Sequence, residues 1–189
     1  MYLILDTETS GFPSKGLPKE NPKQARIVQL AWIILDKHFK EVSCFKSLIR
    51  SNGKWTISSG AQQAHGISQQ ECDNYGLPIE NVMASLESAL VLCQKVVAHN
   101  LKFDSQLIDI ERVKFESDWK ADRYVCTMQL MTPICKLPSQ RMTYKWPKLQ
   151  EAYLYCFNEE FKGAHDALND VRATGRVFRW LVERGHVTV

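Results

Sequence analysis

Tyr2-Leu3-Ile4-Leu5-Asp6-Thr7-Glu8-Thr9 opens the chain with four apolar residues followed by alternating acid and threonine. A short apolar run of this kind reads as a buried strand. Side chains alternate along a strand, so Asp6 and Glu8 share one side and Thr7 faces the other. Two carboxylates at the end of a buried strand repel each other and lose hydration. A hard divalent cation between them relieves both costs. An exposed strand-end turn uses Asp and Thr equally well, so the tetrapeptide by itself leaves both readings open.

Downstream, Gly11 to Gln24 holds three prolines and two glycines and reads as a long surface loop at the mouth of whatever site Asp6 and Glu8 form. Arg26 to Asp36 and Glu41 to Ile49 carry β-branched and aromatic residues at strand density, with Asp36-Lys37-His38 as a turn, which predicts a three-strand meander. Ile79, Val82, Met83, Leu86, Ala89, Leu90 and Cys93 fall on one helical stripe. Val96-Val97-Ala98 then reads as a short buried strand. Phe103, Leu107 and Ile110 place a helix just after His99-Asn100, and Tyr124-Val125-Cys126 reads as a further strand. Leu149, Ala152, Tyr153 and Cys156 mark one late helix, and Ala167, Val171, Thr174, Phe178 and Leu181 a longer one. The order predicts an α/β domain over residues 1–189, with a mixed five-stranded sheet of three antiparallel strands continued by parallel ones and flanked by helices.

The totals agree with that architecture. The chain has 189 residues, 44% apolar and 24% charged, which suits one domain with a full core. A net charge of +3 announces no nucleic-acid binder, although an acidic metal pocket masks a basic surface in such a sum. The cysteines at 44, 72, 93, 126, 135 and 156 show no CxxC pair or zinc-knuckle spacing, so most are expected to be reduced core residues. With no signal-type N-terminus and no run approaching a membrane span, a cytoplasmic protein without membrane partners is expected.

Two further acids stand near strand ends. Asp104 falls in the first turns of the helix after His99-Asn100, where an acid near a helix N-terminus is also ordinary. Asp166 reads as an N-cap, so His165 precedes the last helix and Asp170 lies about one turn inside it, at the border of the apolar stripe. An aspartate bordering an apolar face needs a countercharge or a metal.

Together these segments resemble the DEDDh, or DnaQ-like, 3′-to-5′ exonucleases. Asp6-Thr7-Glu8-Thr9-Ser10-Gly11 matches the first family motif, His99-Asn100 through Phe103-Asp104 the second, and His165-Asp166-Ala167-Leu168-Asn169-Asp170 the third. The HxxxxD spacing of the third separates this branch from the DEDDy branch. The resemblance runs from residue 2 to about 180 and implies a ribonuclease H-like fold. It implies that Asp6, Glu8, Asp104 and Asp170 bind two divalent ions, Mg²⁺ or Mn²⁺, and that His165 takes the proton of an attacking water. It also places Phe12 as an apolar wedge against the terminal base, a loop hydrophobe packed on the domain being the alternative, and His65-Gly66-Ile67 as a segment that helps hold the terminal nucleotide; Thr9, His65 and Asn100 are candidate substrate contacts, and His65 and Asn100 equally suit turn or capping positions.

The expected substrate is therefore DNA or RNA with a free 3′ end, single-stranded or frayed, because the terminal base must leave its stack to reach the site. Lys136 to Lys148 contains Lys136, Arg141, Lys145 and Lys148, with Tyr144 and Trp146 and no acid. That mixture fits a surface that tracks a backbone and stacks bases, or else a solvated loop with its aromatic tucked under the last helices. Three rivals are a catalytically silent binding module of the same fold, a ribonuclease H-type endonuclease and a polymerase-associated proofreading subunit. All five catalytic positions are filled, which argues against the first. The chain ends four residues after Gly185, where proofreading subunits carry a docking tail, so a free-standing nuclease is expected.

Overall fold

The computed structural model describes residues 1–111, 123–163 and 166–189. The opening stretch forms β1 (Tyr2–Thr9), which runs through both acids. It pairs antiparallel with β2 (Ile27–Leu35), which pairs antiparallel with β3 (Glu41–Leu48). Three helices follow: α1 (Ser59–His65), α2 (Gln69–Tyr75) and α3 (Ile79–Leu92). Then β4 (Lys95–Ala98) runs parallel to β1, and after α4 (Leu101–Glu111) comes β5 (Tyr124–Cys126), parallel to β4. The C-terminal part adds α5 (Thr127–Cys135), α6 (Leu149–Phe157) and α7 (Ala167–Glu183). The sheet order is β3-β2-β1-β4-β5, the meander continued by parallel strands that the sequence predicts.

The alternation of β1 assigns its side chains to two cores. Leu3 and Leu5 face α3 and α4, packing with Val82, Leu86, Leu101 and Leu107. Tyr2 and Ile4 face α7, packing with Val171 and Phe178. Fully burying one such side chain contributes roughly 1.5–3 kcal/mol, so a one-residue slip of β1 is strongly disfavoured. The register therefore commits Asp6 and Glu8 to the α7 side. Helix α7 lies close against the sheet because Gly175 has no side chain; a Cβ there would stand 3.3 Å from Leu35 Cδ1 and 3.6 Å from Ile4 Cγ1.

The N-terminus of α7 is fixed from two directions. The Asp166 carboxylate accepts from the Leu168 and Asn169 amides, as an N-cap does, and pairs with Lys46 of β3 at 2.7 Å. The Ala167 amide donates to Gln29 Oε1 at 3.3 Å, and Gln29 sits directly opposite Glu8 in the sheet. The first turn of α7 is thus hung on the strand that neighbours the acids.

Three expectations change. The α1 and α2 helices were not anticipated, because neither carries an apolar stripe: each has one buried residue, His65 and Cys72 respectively. Their caps were the available signal, Ser58 and Gly66 for α1 and the Ser68/Glu71 capping box for α2. Only Cys72 and Cys93 are buried, while Cys44 is exposed and the other three are partly buried, so the core-cysteine reading holds for two of six. Of the two aromatics in Lys136 to Lys148, Tyr144 is half-buried and Trp146 exposed, so a loop with its aromatics wholly tucked away does not hold. Among the described residues no helix is long and apolar enough to cross a membrane.

Candidate active site

Oxygens of Asp6, Glu8 and Asp170 lie within 4.8 Å of one another. The first two project from β1 toward α7 and the third descends from the first turn of that helix. The charged neighbours acting on Asp6 and Glu8 are all acids. Burial, followed by Asp104, Glu8 and Asp170, holds the Asp6 carboxyl well above its usual range. Burial and then Asp170, Asp104 and Asp166 push Glu8 up to about 8. A three-carboxylate, all-oxygen donor set that repels itself is the chemistry of a site for a hard divalent cation, so these residues fit the metals that the motifs imply.

Asp104 approaches differently. Pairing with β4 covers only Tyr2 to Ile4 of β1, so beyond Leu5 that edge has no strand beside it. There the Asp104 carboxylate takes the place of a strand, accepting from the Thr7 amide at 3.0 Å and the Thr7 hydroxyl at 2.8 Å. Asp104 therefore stands next to the other acids but outside their tight cluster, with one oxygen, Oδ1, engaged. Burial raises its pKa to about 7 against the opposing pull of the Thr7 side-chain and backbone hydrogen bonds. Thr7 is the site residue that sequence reading missed: as the neighbour facing away from the acids, it gave no signal that a helix 97 residues later would supply its partner. Thr7→Val keeps the shape and removes the hydroxyl. It should lower stability by about 1–2 kcal/mol in denaturant melts and slow turnover roughly tenfold, with Thr7→Ser retaining most of both.

Of the residues assigned to the nucleotide, Thr9, Phe12 and His65 border one cavity of about 360 Å³, lined by Thr7, Glu8, Thr9, Gly11 and Phe12 on one side and by Ala61, Ala64, His65 and Phe103 on another. Phe12 is 88% exposed, and its ring meets Phe103 edge-on at 6.1 Å. Thr9 spends its hydroxyl on the Gly11 carbonyl at 2.8 Å, bracing the turn that carries Phe12. His65 is buried, and both ring nitrogens are engaged: Nδ1 accepts from the Ile67 amide and Nε2 then carries the proton and donates to the Thr9 carbonyl. Its part is to seat β1 against α1, with its ring as cavity wall. Gly66, at φ 75°, ends α1 and lets the chain turn back so that Ile67 reaches that ring. Asn100 sits outside this cavity at φ 74°, a left-handed turn that Asn tolerates, and its carbonyl starts α4 by accepting from Phe103. His165 lies outside the described residues. A larger cleft of about 500 Å³ beside Arg26, Trp55 and Glu111 includes none of the four acids.

The Exonuclease family model (RNase_T) matches residues 3–178. The chain belongs to this exonuclease family. Comparison with curated proteins found no match. Among solved structures, this exonuclease resembles the nuclease domain of 3'hExo, a DEDDh family member bound to rAMP, with a TM-score of 0.69 and 18% identity over 97% of this chain and 92% of that one. It is similar to Escherichia coli exonuclease I in complex with a dT13 oligonucleotide, with a TM-score of 0.73 and 22% identity over 96% of this chain and 40% of that one. It also resembles exonuclease X in complex with 5′-overhanging duplex DNA, with a TM-score of 0.67 and 20% identity over 100% of this chain and 95% of that one. The exonuclease thus spans about two fifths of the exonuclease I chain and nearly the whole of the other two. At these identities the likenesses establish the ribonuclease H-like fold, and the family match establishes an exonuclease domain, in accord with the three motifs.

Proposed function

We propose that this exonuclease is metal-dependent and works from the 3′ end, releasing nucleoside 5′-monophosphates from single-stranded or frayed DNA or RNA. The observation that carries the reading is the convergence of Asp6, Glu8 and Asp170 within 4.8 Å beside a cavity with an exposed aromatic at its rim. Asp6, Glu8, Asp104 and Asp170 would hold two divalent ions, Mg²⁺ or Mn²⁺, four negative charges balancing two dications. When bound, such a pair supplies a lowered pKa for water and offsets the charge that builds on the phosphoryl oxygens.

The chain's own residues supply position and proton transfer. Thr7 fixes the Asp104 carboxylate, and the α7 cap at Asp166 and Gln29 fixes the height of Asp170. Phe12 offers a face to the terminal base that any base can stack on, which needs no sequence readout. Glu8 lines the same cavity and would face the terminal sugar, making a free end part of recognition. His165 accepts the proton of the attacking water, a free imidazole being the side chain that titrates nearest neutrality, and the penultimate nucleotide keeps its 3′-OH. The named ligands of the neighbours, rAMP, a dT13 strand and an overhanging duplex, support a nucleic-acid substrate.

The test uses 5′-labelled single-stranded DNA and RNA with Mn²⁺ or with EDTA. A ladder that shortens only with metal supports the reading, and shortening of one polymer alone assigns the substrate. His165→Ala should cut the rate by roughly 100-fold or more while metal binding, read by thermal shift, is largely kept. Opening of a covalently closed circle would point to an endonuclease, and strands of unchanged length with Mn²⁺ would overturn the assignment.

A further inference from the structure

The basic, aromatic segment from Lys136 to Lys148 takes no part in the reaction as derived. Its placement is nonetheless tied to the acids. His99, just past the end of β4, donates from Nε2 to the Pro147 carbonyl at 2.9 Å, while its Nδ1 accepts from the Thr127 hydroxyl at 2.9 Å. Burial pushes His99 down to about 4, so near neutral pH the ring stays uncharged with one nitrogen donating and one accepting. Strand β4 runs parallel to β1 with Val97 opposite Ile4 and ends at Ala98, so His99 follows it at the end of the sheet where β1 carries Asp6 and Glu8. Pro147 is thereby held at the same end of the sheet as the acids, one strand across from them.

The rest of the segment is built outward from that anchor. The Lys145 amide donates to the Leu137 carbonyl at 2.9 Å, closing the segment into a loop, and Lys145 Nζ pairs with Glu151 at 2.6 Å. Pro147 is buried, whereas the adjacent Trp146 is 54% exposed. Lys136, Arg141 and Lys148 are also exposed, and none forms an ion pair among the described residues. A large ring left more than half exposed, in a segment that holds four cations and no acid of its own, is poorly explained by packing. It complements a polyanion with flat bases.

We propose that this loop is a second nucleic-acid contact that holds the single strand on the 5′ side of the scissile phosphate, with Trp146 stacked on a base and the cations against phosphates. The proposal rests on the exonuclease reading of the acidic site, because it takes its strand direction from a 3′ end seated there. His99 is then a positioning residue that links the strand-tracking loop to the end of the sheet. The contact is independent of sequence and adds affinity only for strands long enough to leave the terminal cavity and cross the loop.

Fluorescence anisotropy with 5′-fluorescein-dT3 and 5′-fluorescein-dT12 in EDTA tests it without turnover. Wild-type protein should bind dT12 more tightly than dT3, and Trp146→Ala should weaken dT12 binding roughly tenfold while shifting dT3 far less. Trp146→Phe should stay within about threefold of wild type, which a role confined to packing the indole would not produce. Arg141→Ala should reduce the salt slope of dT12 binding by about 0.7. Unchanged dT12 affinity in Trp146→Ala would overturn the proposal and leave the ring to a protein partner, as would equal losses in the Ala and Phe variants. Inactive wild-type protein with Mn²⁺ would instead count against the nuclease reading, and the binding data in EDTA would still decide the loop.

Discussion

Asp170→Ala is expected to abolish 3′-end shortening, lowering the rate by roughly 1,000-fold or more, since even residues that only orient a metal ligand typically contribute 10–100-fold. The structural reason is the placement of Asp170, whose oxygen is one of the three within 4.8 Å. The fold should tolerate the change. In the metal-free state Asp170 is among the charges that raise the Asp6 and Glu8 pKa values, so removing it relieves repulsion. The variant in EDTA should therefore melt no lower than wild type, while the stabilisation that Mn²⁺ gives wild-type protein is largely lost. Thermal melts with and without Mn²⁺, beside a labelled-strand assay, separate lost chemistry from lost folding. A variant that still trims strands at more than a tenth of the wild-type rate would remove Asp170 from the site.

Metal-free protein should also lose stability as pH rises, the reverse of the usual carboxylate behaviour. Glu8 titrates at about 8 in the folded chain against an ordinary 4.5, and Asp104 at about 7 against 3.8. Between the unfolded and folded values the folded state binds more protons than the unfolded one. Stability linked to these groups is thus fully present below about pH 4, declines as pH climbs, and is gone once pH passes about 8. The melting temperature in EDTA should fall by on the order of 5 °C between pH 5.5 and pH 8.5, and Mn²⁺ should restore more of it at the upper end, where the carboxylates are already ionised. A melting temperature that rises across this window in EDTA would contradict the self-repelling cluster. Asp6→Asn should flatten the dependence, since burial, followed by the charges of Asp104, Glu8 and Asp170, raises the Asp6 carboxyl.

Much of this site is written in local patterns. The alternation in Tyr2–Thr9 puts Asp6 and Glu8 on one side of a strand whatever it pairs with, and Asp166 before the stripe of Ala167–Glu183 sets Asp170 one turn into a helix. Period-two and period-3.6 arrangements follow from backbone geometry within a few residues, so a single sequence suffices to read them. The meander and the parallel continuation follow from the order of such elements.

Other features needed the chain to close on itself. Nothing near Thr7 announces that it will hold Asp104, and nothing near Gln29 that it will cap a helix 138 residues away. The α1 wall of the cavity is a short polar helix whose single buried residue, His65, earns its place through the Thr9 carbonyl 56 residues earlier. Nor does anything near Pro147 announce that its carbonyl will be held by His99, 48 residues earlier. Sequence by itself determined the acids, their faces and the order of elements along the chain, because dihedral preference and burial act along a few consecutive residues. Only the tertiary structure decided which hydrogen-bonding groups meet, because that depends on how whole elements pack and on which strand edge they leave open.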